Sequence, residues 1–204
     1  GWGEWLADPH DSSSSDPLCA AKIGAELELM KSIGVSSIIT KFSAVNSQHT
    51  DNPDPSAKYP AFYATSLPWL EQKLDSVGPL LAAADAHNFT VHLGHWQDSA
   101  WFNATNHEAQ FLDVLAERSL AVCEELHAMY GHHKSFRGIY DPNEPKASDW
   151  WRSQSETDAV VDHYFRPVWS WPRAHGLESS TAPFSNNHTN VSAMANWWDA
   201  VLTR

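Results

Sequence analysis

A chain of 204 residues with 42% hydrophobic content is long enough for one substantial core and short for two. Its formal charge of −12, with 13 scattered Lys and Arg, argues against binding a phosphate backbone and so against a nucleic-acid partner. No run approaches the roughly 18–20 apolar residues that cross a bilayer, so no membrane partner is expected.

Gly1 to Leu6 reads as a short strand ending near Trp5, and a polar, serine-rich loop follows to Pro17. Leu18 to Ile33 carries an apolar stripe at helical spacing, with Gly34 placed to stop the helix. Val35 to Phe42 is rich in β-branched residues and reads as a buried strand closing on Lys41. Ala44 to Pro68 reads as a long polar loop, the kind that in a compact domain serves function. Leu70 to His87 reads as a helix interrupted at Gly78-Pro79, Phe89 to Trp96 as a strand, and Gln97 to Asn106 as a loop. His107 to Tyr130 is the clearest helix, ended by Gly131, and Phe136 to Asp141 is the next strand. After a loop with Trp150 and Trp151, Thr157 to His175 reads as a helix kinked or divided by Pro167 and Pro172. Leu177 to Ala182 is the last strand, and Ala193 to Arg204 the last helix.

Strands and helices alternate one for one, which predicts parallel βαβ units. The long loops follow strands and the helix-to-strand turns are short. A (β/α)8 TIM barrel has this asymmetry, because its functional face lies at the C-terminal ends of the strands. A doubly wound open sheet is the runner-up, weakened by the lack of Gly-x-Gly-x-x-Gly after any strand. The count reaches five strands, against eight in a full barrel of about 250 residues. Residues 1–204 are therefore expected to form a single incomplete barrel, supplying about the first five βα units. A further segment or partner chain would complete it, and the surface left open is expected to be apolar.

Within Phe136 to Pro145, prolines 142 and 145 bracket Asn143-Glu144. They restrict the backbone and remove donors, so a stiff turn holds a carboxylate where a strand ends. A solvated loop acid is the plain alternative. Asn143-Glu144-Pro145 after a fourth strand resembles the acid/base signature of the retaining TIM-barrel glycoside hydrolases. The wider pattern is Gly34-Val35, Ala83-Ala84-Asp85-x-His87, Val91-x-Leu93-Gly94 and Phe136-x-Gly138-x-Tyr140-x-Pro142-x-Glu144-Pro145. It resembles more closely a domain family of unknown function within the glycosidase-like TIM barrels.

The resemblance implies Glu144 as general acid/base and Asn143 as a hydrogen-bond partner of a sugar hydroxyl beside the scissile bond. Glycosidases need a second carboxylate. The resemblance puts it after a seventh strand, which this chain lacks, leaving Asp98 and Asp141 as candidates within the chain. Strand-end position adds His95 and Trp96, an imidazole beside a ring that can stack on a sugar, with core packing as the alternative. It also adds Lys41, which can meet a substrate oxygen or Glu144, and Trp5, a sugar platform. Tyr140 offers a hydroxyl near Glu144 or packs in the core, and Trp150 lines a subsite or staples its loop. His92 lies on the opposite strand face from His95, so the two are not expected to share a metal. His132 and His133 are explained by a helix C-terminus. No metal or cofactor is implied.

Four Asn-x-Ser/Thr triplets, at Asn88, Asn103, Asn187 and Asn190, point to a secreted, glycosylated protein. Cys19 and Cys123 either pair or remain buried thiols. The expectation is an extracellular glycoside hydrolase acting on a poly- or oligosaccharide. The alternative is a non-catalytic carbohydrate-binding barrel, which would keep the tryptophans and lack the second carboxylate.

Overall fold

The computed structural model describes residues 18–47, 58–102, 108–145, 153–183 and 190–203, with side chains from Lys22 onward. In chain order the first half comprises α1 (Leu18–Ser32), β1 (Ser37–Ile39), β2 (Ala44–Asn46), β3 (Tyr59–Ala61), β4 (Leu70–Gln72), α2 (Val77–His87), β5 (Thr90–Gly94) and β6 (Trp96–Asp98). The second half comprises α3 (Ala109–Tyr130), β7 (Phe136–Asp141), α4 (Gln154–Val160), α5 (Arg166–Ala174), β8 (Glu178–Thr181) and α6 (Val191–Leu202). The fold is α/β. Its larger sheet is parallel throughout, in the order β1-β5-β7-β8. That order follows the chain without the reversal that defines a doubly wound sheet, which disfavours the runner-up.

The pleat sends alternate side chains to opposite faces. On the helix side Val91, Leu93 and Ile139 are buried and join Leu81, Leu115 and Phe165 in the core. The other face carries polar side chains. Ser37 Oγ and Thr90 Oγ1 lie 2.7 Å apart. His92 Nδ1 lies 2.8 Å from Ser180 Oγ, while Glu178 binds Arg137 Nε at 2.7 Å and His92 Nε2 at 3.3 Å. His92 crosses above Gly138, where an added Cβ would lie 2.7 Å from its ring. Ile39, 57% exposed, is a large hydrophobic on this face.

The second sheet, ordered β4-β3-β2-β6, was not legible in the sequence. It takes 44–46 and 59–61 from the expected long loop, 70–72 from the start of the expected second helix, and at 96–98 the last residue of the expected third strand with the first two of the loop after it. Each strand has only three residues, too few to display a period. Gly78-Pro79 sits in the first turn of α2, where proline's missing N–H costs nothing, so it begins the helix instead of interrupting it.

Helix ends follow local rules. Asn88 closes α2 in the left-handed region at φ 59°, and Gly34 does the same after α1 at φ 86°. Ser153 accepts from Glu156 N at 3.2 Å to cap α4, and Asn190 accepts from Ala193 N at 3.1 Å to cap α6. Between α4 and α5 the chain forms a π-helical stretch over Val161–Phe165, with the Arg166 N–H reaching the Val161 carbonyl. Pro167 cannot donate to the carbonyl four residues back, and the expected division of the helix falls here, at this wider turn. The His133 backbone N–H donates to the Tyr130 carbonyl at the end of α3, while its imidazole turns away to Asp85: Nδ1 lies 2.7 Å from Asp85 Oδ2, and the Asp85 carboxylate also receives Ser135 N.

Candidate active site

The site is built where the large sheet hands over to the small one. β1 pairs with β5, and beyond a break β2 pairs with β6 in parallel, Ala44 with Trp96 and Asn46 with Asp98. At the break the Lys41–Phe42 backbone lies against Gly94, where any Cβ would overlap the Lys41 carbonyl. The lost ladder bond is replaced by a side chain, Gly94 N donating to Thr40 Oγ1 at 2.9 Å. Glycine is therefore required here by close approach, and the kink it permits carries Trp96–Asp98 alongside the end of β7.

Asn143 joins the two. Its Nδ2 donates to the Trp96 carbonyl at 3.0 Å and to Tyr164 Oη at 2.8 Å, and its Oδ1 accepts from Asp98 N at 3.1 Å. Gln97 Nε2 adds a bond to the Pro142 carbonyl at 3.1 Å. Beneath Asn143 lies Asp141, 2% exposed. Its Oδ1 accepts from Asn143 N at 3.0 Å and from Tyr164 Oη at 2.9 Å, and its Oδ2 accepts from Trp169 Nε1 at 2.8 Å. A buried carboxylate must be paired or fully hydrogen-bonded, and these donors supply that need.

His95 is wholly buried beside this carboxylate. Its Nδ1 lies 3.0 Å from the Trp96 carbonyl, so in the neutral ring Nδ1 carries the proton. Nε2 faces Asp141 Oδ1 at 3.5 Å without a hydrogen bond. Burial lowers the imidazole pKa, against the opposing pull of Asp141. Burial raises the pKa of Asp98, partly offset by its hydrogen bond from Ala100 N and by Arg118. The Asp98 Oδ1 accepts from Asn46 Nδ2 and Ala100 N, each at 3.0 Å, and Arg118 Nη1 stands 3.9 Å from Oδ2. Arg118 also lies over Tyr59, Trp69 and Trp96, 5.3 to 5.7 Å from the ring centroids. Tyr164 is pushed well up by burial and then by Asp141, so it remains a neutral donor.

Glu144 is half-buried at the outer end of this network, its carbonyl receiving Trp101 Nε1 at 3.0 Å. Tyr140 is 8% exposed, and its pKa is pushed up to about 12 by burial, then by Glu144 and Asp141. The structure thus gathers Glu144, Asn143, Tyr140, His95, Asp98 and Asp141 around one strand end. It corrects the picture for Trp96, which is 0% exposed within the aromatic cluster and presents no face for a sugar. Asn143 is likewise 0% exposed, with its carboxamide engaged inside the protein. Lys41 is exposed in the bend beyond β1, with Nζ 5.7 Å from the Phe42 ring. Trp5 and Trp150 lie outside the described residues, as do Asn103 and Asn187. Asn88 is exposed, and Cys123 is a free, buried thiol, so it makes no bridge to Cys19. Asn46, Trp101, Arg118, Tyr164 and Trp169 were not singled out from sequence. The proline break ahead of α5 was the one signal bearing on Tyr164 and Trp169. Among the described residues no group of three His, Cys, Asp or Glu side chains is placed to hold a metal, and no helix is long and apolar enough to cross a membrane.

A family model described as "Domain of unknown function (DUF4434)" matches residues 3–204. The chain belongs to this family. Among solved structures, the DUF4434 chain is similar to a protein of Bacteroides thetaiotaomicron VPI-5482 described as a "putative alpha-L-fucosidase". The TM-score is 0.59 at 18% sequence identity, covering 90% of this chain and 54% of that one. The likeness is one of fold, and the chain spans about half the length of that protein. No curated protein matches.

Proposed function

We propose that this chain forms the acid/base part of a glycoside hydrolase of (β/α)8 type, acting on an extracellular poly- or oligosaccharide. The observation that carries the reading is the placement of Glu144. It follows β7 of a singly wound parallel sheet, half-buried, on a turn gripped through Asn143 and through Trp101. Strand C-terminal ends are where such folds keep their chemistry. The fold likeness to a protein named for glycoside cleavage supports the same substrate class.

In this reading the protonated Glu144 donates its proton to the glycosidic oxygen as the carbon–oxygen bond breaks. A second carboxylate acts on the opposite face of the sugar. Asp98 and Asp141 are buried and hydrogen-bonded, so that second group comes from outside the described residues, on the segment or partner that completes the barrel. The neutral Tyr140 hydroxyl is a donor beside Glu144, Lys41 is a cation at the rim, and Trp5 and Trp150 are sugar platforms. Asn88, exposed at the end of α2, is a glycan acceptor of a secreted protein.

The test is Glu144→Gln in the full-length protein, assayed on 4-nitrophenyl glycosides and oligosaccharides. Turnover should fall by about 100-fold or more, the usual contribution of general acid–base catalysis, with an unchanged circular dichroism spectrum. Undiminished turnover refutes the assignment. The engagement of both Asp98 and Asp141 favours a second reading, a non-catalytic carbohydrate-binding barrel. Saturable oligosaccharide binding without hydrolysis by the full-length protein would select it.

A further inference from the structure

Asn143 makes a pattern of bonds that belongs to a strand. In a parallel ladder one residue donates its N–H to the residue before its partner and accepts from the residue after it. The Asn143 carboxamide does this around Gln97: Nδ2 donates to the Trp96 carbonyl at 3.0 Å and Oδ1 accepts from Asp98 N at 3.1 Å. β2 occupies the other edge of β6, so β6 is paired on one side by backbone and on the other by a single side chain.

The orientation of that side chain is fixed by its second donor contact. Tyr164 Oη donates to Asp141 Oδ1 at 2.9 Å and therefore accepts from Asn143 Nδ2 at 2.8 Å. A flipped amide would set its oxygen against the Trp96 carbonyl. Both amide hydrogens and the oxygen are thus consumed, and the residue is 0% exposed. The next residue is held from the same segment, since Trp101 Nε1 donates to the Glu144 carbonyl at 3.0 Å. The Glu144 peptide is carried by β6 and the short turn after it as much as by β7.

We propose that Asn143 is a positioning residue, its carboxamide standing in for a strand residue that fixes Glu144 above the end of the sheet, and that it reads no hydroxyl of the substrate. The proposal rests on Glu144 as the acid/base. Two readouts on the full-length protein test it, and the first needs no catalysis. In 1H–15N spectra the Asn143 side-chain amide hydrogens should exchange at least about tenfold more slowly than those of an exposed asparagine, because both are buried and bonded. They should not shift when an oligosaccharide mixture is added. Tyr164→Phe, which leaves position 143 intact, should accelerate that exchange. It should also lower kcat about tenfold on an aryl glycoside that the protein hydrolyses, with KM within about twofold, as loss of a buried hydrogen bond requires. Fast exchange in the unaltered protein, an oligosaccharide-induced shift of the Asn143 amide, or a Tyr164→Phe variant unchanged in exchange and kcat would each overturn the proposal. If Glu144→Gln left turnover intact, the exchange data would still show whether Asn143 is latched, so the two failures are distinct.

Discussion

Asp141→Asn tests the network at its centre with almost no change of shape. The native carboxylate accepts from Asn143 N and Tyr164 Oη on Oδ1 and from Trp169 Nε1 on Oδ2. An amide can keep the oxygen facing Asn143 and Tyr164, at 3.0 and 2.9 Å, but then presents its NH2 to the Trp169 N–H at 2.8 Å. One charge-assisted hydrogen bond is lost and two donors are left facing each other at a site 2% exposed. The expected cost is about 2–4 kcal/mol, from the lost bond plus the desolvation of an unpaired buried donor. Trp169→Phe removes the opposing N–H, and alone it strands Oδ2. In its background Asp141→Asn no longer creates a donor clash, so its cost should drop by at least about 1 kcal/mol. Urea unfolding at neutral pH of the parent, both single variants and the double variant measures this coupling, provided the m-values agree. Additivity within about 0.5 kcal/mol would refute the claim that Trp169 and Asp141 meet in the native state.

Glu125 receives Tyr63 Oη, Thr65 Oγ1, Ser66 N and Ser66 Oγ at 2.6 to 2.7 Å, tethering residues 63–66 to α3. Burial acts to raise its pKa, but these bonds outweigh it and hold the carboxyl below its usual value. Its stabilisation is therefore present above the unfolded carboxylate pKa of about 4.3 and is lost as pH falls through the lower folded value. Glu125→Ala should cost about 2–3 kcal/mol at neutral pH, mostly from stranding the buried Tyr63 hydroxyl while Ser66 turns to water. The gap between this variant and the parent should narrow in acid, as the part tied to the Glu125 charge is lost, and a gap that stays constant with pH would count against the tether. Gly94→Ala should destabilise by more than about 3 kcal/mol or prevent folding, because the added methyl overlaps the Lys41 carbonyl. A near-native melting temperature would mean the β1–β2 kink does not pass where it is drawn.

Local sequence determined most of the βα frame. Phe136–Asp141 has the boundaries read from its pattern, α3 begins within two residues of its expected start, and Pro142 and Pro145 fix the turn that holds Glu144. These features come from periodicity, capping and proline geometry, which act over a few neighbouring residues. Two things arose only in the folded chain. Strands of three residues, such as Ala44–Asn46 and Trp96–Asp98, have no readable period and exist because a partner backbone 52 positions away completes their hydrogen bonds. Side-chain roles also depended on what surrounds them. Trp96 and Asn143 looked like ligand contacts while only their position after a strand was known. In the folded chain Trp96 is enclosed by Tyr59, Trp69 and Arg118, and Asn143 is bonded to Trp96, Asp98 and Tyr164. Sequence could place Glu144 at the end of a strand. That its turn is fastened by a side chain pairing like backbone was decided by the kink at Gly94, which brings β6 within hydrogen-bonding distance of β7's end.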